Sequence, residues 1–153
     1  MKKSLKRPLI LLIICAVAIF AYWTISPFFR TEEVSEALPA MMTQGETVET
    51  VSGIFTGFDR VHNGEGTATL ILIDGKYILR FEEDFKVTNG PDLYVGFGQD
   101  GEYIKGSEIS RLKGNVGSQN YELPATFNPE EYTEVWIWCK AFSQPFARAV
   151  LVR

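Results

Sequence analysis

The 153-residue chain reads as an all-β domain, an antiparallel β-sandwich or barrel, preceded by one N-terminal transmembrane helix. Three observations predict this. Leu9 to Ile25 carries no charge. From Thr47 onward, short runs of β-branched and aromatic residues alternate with Gly, Asn, Asp and Pro clusters, the signature of a small antiparallel domain. Two of these runs, Thr67–Ile73 and Lys76–Phe81, are joined by Asp74-Gly75 alone, the strongest short-range hairpin signal.

The N-terminal element follows from length and charge. A helix rises 1.5 Å per residue, so about 20 apolar residues cross a bilayer core. Leu9–Phe29 has 21 residues and no charge. Lys2, Lys3, Lys6 and Arg7 precede it and Glu32, Glu33 and Glu36 follow, which places residues 1–8 as a cytoplasmic tail and the rest beyond the membrane. A cleaved signal peptide is the rival reading. It lacks a cleavage site, because Ala16-Val17-Ala18 sits mid-span. A lipoprotein signal is excluded by Ile14 before Cys15, and Cys15 reads as a small apolar residue of the span. The expected localisation is a cell membrane crossed once, with an extracytoplasmic C-terminal domain.

Residues 30–46 read as a juxtamembrane linker, in which Thr31–Leu38 has the composition of a weak helical turn or a loose segment. The β domain is expected over 47–153. Val48–Phe58 alternates unevenly around Gly53 and Gly57. Asn63-Gly64-Glu65-Gly66 is a turn, and the Thr67–Phe81 hairpin follows. Asn89-Gly90-Pro91-Asp92 turns into the strand Leu93–Phe97, and Gly98–Gly101 turns again. Ile104–Leu112 is mixed, Lys113–Ser118 is a loop, and Tyr121–Pro124 is a short strand. Asn128 can cap a single turn that starts at Pro129. Glu134–Cys139 is a strand, Pro145 breaks the chain, and Phe146–Val152 is the last strand.

The charge is uneven. Beyond the span stand eleven basic and all 19 acidic residues, a net charge of −8. Such a domain lacks the basic stripe of a nucleic-acid binder. Glu82-Glu83-Asp84 reads as a solvated turn, and the spacing of Asp92 and Asp100 is not that of a calcium loop. With one histidine, His62, a conventional hydrolase has no acid/base set to draw on, so an enzyme of that type ranks last.

Cys139 is the one cysteine beyond the span. A thiol without a partner in an oxidising compartment calls for a reason: redox chemistry, ligation of a prosthetic group, or a role as a buried small hydrophobe. Strand alternation puts Val135, Ile137 and Cys139 on one face and Trp136 and Trp138 on the other. Both faces are apolar, which marks a central strand. The tryptophans suit a pocket for a flat ligand or a plain core. His62 and Cys139 are too few for structural zinc, but enough for the two axial positions of a haem.

The blocks Asn89-Gly90-Pro91-Asp92-Leu93-Tyr94-Val95, Leu112-Lys113-Gly114-Asn115 and Ile137-Trp138-Cys139-Lys140-Ala141-Phe142, with Arg80-Phe81-Glu82 and Phe146, resemble the DM13 domain in order and spacing. The resemblance implies a β-rich extracytoplasmic module of electron transfer, with Cys139 as a bare redox thiol or as a ligand of a group such as haem. His62 and Trp138 are then the further candidates for cofactor binding, no metal site is expected, and the partner is an unidentified redox or surface protein. The alternative is a non-catalytic binding or scaffolding domain with Cys139 in its core.

Overall fold

The structure, a computed structural model, describes residues 6–26, 30–38, 49–73 and 75–152. The chain divides into two units, Met1–Arg30 and Thr31–Arg153.

The first unit is helix α1, Lys6–Ile25. Its Leu, Ile, Val and Phe side chains are all exposed, from 53% at Ile25 to 71% at Phe20. Among the described residues no helix is long and apolar enough to cross a membrane. Pro27-Phe28-Phe29, the last part of the span read from the sequence, lies outside the described residues.

The second unit pairs all its named strands antiparallel, whereas the isolated bridge Glu33–Val116 is parallel. Its strands are β1 (Glu49–Gly57), β2 (Gly64–Glu65), β3 (Thr67–Ile73), β4 (Lys76–Phe81), β5 (Lys86–Val87), β6 (Leu93–Gln99), β7 (Glu102–Tyr103), β8 (Ser110–Arg111), β9 (Gln119–Glu122), β10 (Glu134–Cys139) and β11 (Gln144–Val150). One sheet runs β7-β6-β10-β11-β1-β3-β4-β9, with β8 also on β6, while β2 and β5 form a separate small ladder. The sheet curls into a half-barrel around its own core, so the sandwich-or-barrel expectation resolves as one continuous curled sheet. The bend lies in β1: residues 49–54 pair with β3, and 55–57 pair with β11. Gly53 makes the bend possible, because a Cβ there would overlap the carbonyl of Val150.

Strict alternation fills the concave side. Phe55, Leu70, Leu79, Phe81, Val95, Phe97, Val135, Ile137, Cys139, Ala147 and Ala149 all point inward and are at most 4% exposed. Phe55, Phe81 and Phe85 meet edge-on or tilted at 4.5 to 5.1 Å. Such aromatic contacts add to the large apolar area they bury.

The β3–β4 hairpin turns at Gly75 with φ +73, as the Asp-Gly signal requires; Asp74 itself lies outside the described residues. Pro145 does not break the chain but lies within β11. The β10–β11 register shifts between Ile137 and Trp138, and proline is tolerated at such a bulge. Asn128 does start a turn: its carbonyl accepts from the amides of Glu131 and Tyr132, and its side chain accepts from Glu130 N.

Residues 31–38 form no helical turn. They lie extended along 114–120 as a strap. Val34 N donates to Val116 O, Glu36 N to Ser118 O, and Asn115 N to Glu32 O. The Glu36 carboxylate accepts from Lys113 Nζ at 2.7 Å and from Asn120 N at 2.7 Å. Burial opposes ionisation of Glu36, but the Lys113 and Asn120 bonds and the charges of Lys113 and Arg80 outweigh it, so its carboxyl titrates below the usual range.

A carboxyl with a lowered folded pKa stabilises the fold above its unfolded value and loses that contribution as pH falls through the folded one. Acidification below the ordinary glutamate range should therefore loosen the strap first. Amide exchange at Val34 and Glu36 should accelerate relative to β10, and the Glu36→Gln variant should lack this acid step.

Candidate functional site

Cys139 closes β10. Its register partners are Leu93 on β6 and Gln144 on β11. The side chain is 0% exposed and belongs to the apolar core. The strand end is pinned where Lys140 N donates to Asp92 O at 3.0 Å. An exposed turn, Lys140–Ser143, follows directly, with Ser143 at φ +51. The Lys140 ammonium gives the thiol no help: it lies over the Tyr94 ring at 4.9 Å and 4.0 Å from Glu108 Oε1, on the opposite face of the sheet.

His62 stands in the loop after β1. Its Nδ1 is 2.8 Å from Asp59 Oδ2, and Asp59 Oδ1 accepts from the amides of Val61 and His62. The side-chain bond to His62, then these amide bonds, hold the Asp59 carboxyl down at about 2. The imidazole meets Phe146 edge-on at 4.8 Å. A Cβ on Gly90 would press on both Phe146 and Leu93, at 2.8 and 2.7 Å. Phe146 and Leu93 are thus close neighbours, and Leu93 is the residue paired with Cys139. Among the described residues no hydrogen bond or ring contact joins His62 to Cys139.

Trp138 faces away from Cys139, on the convex side. It stacks on Tyr103 with ring centres 4.2 Å apart and planes 3° off parallel. Tyr103 meets Trp136 at 6.0 Å, and Trp136 stacks on Phe58 at 5.4 Å. Glycines across the strand pair make room for this row. A Cβ on Gly98 would overlap Trp136 Nε1, and one on Gly96 would press on the Tyr103 ring at 3.0 Å.

Trp136 Nε1–H donates to Glu134 Oε2 at 2.9 Å. Glu134 is 5% exposed; it also accepts from Gly101 N at 2.9 Å and pairs with Arg148 Nη1 at 3.6 Å. The Tyr103 phenol oxygen is enclosed with no hydrogen bond of good geometry. Burial pushes its pKa up, the nearby Glu108 charge pushes it further, and Ser107 offsets part of this.

Residues 58–151 match the protein family described as Electron transfer DM13. The chain belongs to the DM13 family. No curated protein and no solved structure matches it. The family's description assigns the domain a redox-related role.

The DM13 domain's candidate residues do not converge on a prosthetic group. Cys139 and Trp138 adjoin in sequence but face opposite sides, and His62 is engaged by Asp59 and Phe146. Clefts open between described residues. One is lined by Val51, Leu70, Tyr132 and Leu151; another, beside the strap, by Arg80, Glu82, Glu83 and Asp84. Neither is lined by Cys139 or His62. Among the described residues no group of three His, Cys, Asp or Glu side chains could hold a metal ion. A haem needs an open slot beside its ligand, and the close-packed core around Cys139 offers none. The residues do not fit that group in this conformation.

Glu134 and Tyr103 escaped the sequence reading. The Glu134-Val135-Trp136 spacing, which puts carboxylate and indole on one strand face, was the available signal for Glu134. Tyr103 had none, because its strand is two residues long.

Proposed function

We propose that this chain is a membrane-tethered electron-transfer module whose DM13 domain exchanges electrons through Cys139 as a bare thiol. The observation that carries the reading is the position of Cys139: it ends β10 one residue before an exposed turn. A sealed thiol is inert, since the thiolate must form and be reached. Fraying of the β10–β11 end opens Cys139 without unfolding the sheet, because hairpin ends belong to the low-stability part of a fold. Once open, the thiol loses its proton to water. The thiolate attacks one sulfur of a partner's disulfide, that S–S bond breaks, and the other partner sulfur leaves as thiolate. The product is a mixed disulfide.

The tether is Leu9–Phe29, with the basic tail 1–8 on the cytoplasmic side and the domain beyond. This part of the reading rests on the uncharged sequence, on the basic flank and on the exposed apolar side chains of α1. It predicts retention of the chain in membranes after alkaline extraction.

A second reading is favoured by the zero exposure of Cys139: a surface binding or scaffolding domain in which the thiol is core. One experiment separates the two. The Cys15→Ala chain is acid-quenched in its native membrane, and the Cys139 state is read by mass spectrometry and by the absorption spectrum of the extract. The redox reading expects a fraction of Cys139 in mixed disulfide, and no visible absorption band. Fully reduced Cys139 that also resists alkylation under native conditions would leave the scaffold reading in its place.

A further inference from the structure

Cys139 is not the only oxidisable group in the domain. On the convex face Trp138, Tyr103 and Trp136 stand in an unbroken row over Gly96 and Gly98. We infer that these rings form a one-electron relay, entered at half-exposed Trp138 and Tyr103 and ending on buried Trp136 with Glu134 as its proton acceptor. The inference deepens the electron-transfer reading of the domain and is independent of Cys139.

Three features carry it. The Trp138–Tyr103 pair is parallel and in van der Waals contact, and Tyr103 reaches Trp136 at 6.0 Å. Electron tunnelling falls exponentially with distance, so rings this close exchange charge faster than any longer jump across the sheet. Exposure then falls along the row: Trp138 and Tyr103 are half-buried, whereas Trp136 is 3% exposed. An acceptor can touch the first two rings and not the last.

The third feature is the proton. An indole N–H becomes strongly acidic when the ring loses an electron. Glu134 Oε2, at 2.9 Å, lies within the reach a base requires. The Arg148 guanidinium, 5.8 Å from the Trp136 ring, disfavours a cation there and so favours the neutral radical. The Tyr103 phenol oxygen is enclosed with no hydrogen bond of good geometry, and burial first, then the nearby Glu108 charge, keeps its proton on.

The step balances. One electron passes to a high-potential one-electron acceptor, such as a ferryl haem or another high-valent metal centre on a partner. The Trp136 N–H bond breaks, its proton forms the O–H bond of Glu134, and a neutral indole radical remains while the acceptor is reduced by one.

The test uses the full chain in detergent micelles, with Trp23→Phe to remove the exposed helix tryptophan, and a photogenerated ruthenium(III) polypyridyl complex as oxidant. The expected product is a neutral tryptophan radical seen by transient absorption. Trp136→Phe should leave only the radical of solvent-reached Trp138, with the Glu134-coupled signal lost. Trp138→Phe, a change at a half-exposed ring that keeps the sheet covered, should slow its appearance. Glu134→Gln should shift the spectrum to the radical cation. Circular dichroism confirms that each variant is folded; should Glu134→Gln not fold, the Trp138→Phe arm decides alone.

Equal radical yield, rate and identity in the folded variants would overturn the relay and leave the aromatic row as a cover for Gly96 and Gly98. Cys139→Ala, run in parallel, should change nothing. A lost relay with an oxidised Cys139 leaves the thiol reading standing, and an intact relay with an inert Cys139 moves the electron path to the convex face.

Discussion

Replacing Arg80 by leucine is expected to destabilise the domain by about 2 kcal/mol, because the hydrogen bonds of its buried guanidinium are lost, while its part-exposed partners regain some water. Arg80 is 4% exposed, on β4. Its Nε donates to Glu82 Oε2 at 2.8 Å, and Nη1 donates to Asn120 Oδ1 at 2.8 Å. Nη1 also reaches the carbonyls of Glu36 and Ala37, at 3.2 and 3.4 Å. One planar fork thus ties three parts of the chain: its own strand, the edge strand β9 and the strap.

Arg80→Lys keeps the charge but not the fork, so it should fall between wild type and Arg80→Leu. Thermal unfolding gives the loss. Amide exchange gives its location, with protection at Val34 and Glu36 lost and protection in β6 and β10 kept. Uniform loss across the sheet would show that Arg80 holds the core and not the strap.

The strap explains why part of this fold was illegible in the sequence. Thr31–Leu38 contains Glu, Ala and Leu, and its local preference is helical. That preference loses to backbone pairing with residues 114–120 and to a buried arginine that reads main-chain carbonyls. Neither partner leaves a pattern in residues 31–38 themselves.

The strands were legible for the opposite reason. Thr67–Ile73, Lys76–Phe81 and Glu134–Cys139 are short runs rich in β-branched and aromatic residues bounded by turn signals, a pattern written directly in the sequence even where, as in β10, both faces are buried. Pro145 misled because a missing N–H normally ends a strand, and only the long-range register of β10 shows that a bulge removes the need for it.

The site divides along the same line. That Cys139 and Trp138 face opposite ways followed from alternation. That Trp136 lies over Gly98, and Tyr103 over Gly96, follows from pairing across β6, β7 and β10, and no single segment encodes it. The acidity of Asp59 comes from a three-residue loop contact with His62, which local sequence shows only once the loop's shape is known.

Cys139→Ser should cost more than Cys139→Ala, although serine is the closer match in shape. A hydroxyl buried without a partner costs about 1–3 kcal/mol. At 0% exposure, within a wholly apolar cluster, Cys139 offers it none. Alanine loses only the contacts of one sulfur, about 1 kcal/mol with partial collapse of the cavity. The ranking wild type, alanine, serine in unfolding midpoint tests the seal around the thiol.

Reactivity tests the way through that seal. In the Cys15→Ala background, alkylation of Cys139 should be slow under native conditions and should quicken with urea. Its slope against urea should be well below that of global unfolding, because opening the β10–β11 end exposes little surface. A slope equal to the global one would mean that Cys139 is reached only by unfolding, and a thiol of that kind cannot serve a reversible redox cycle. A rate equal to that of a free thiol would mean that the sulfur is not sealed, and serine should then be tolerated as well as alanine. Stability and kinetics thus fix the same question from two sides: how far the last turn of one hairpin must move before the sulfur of Cys139 meets a partner.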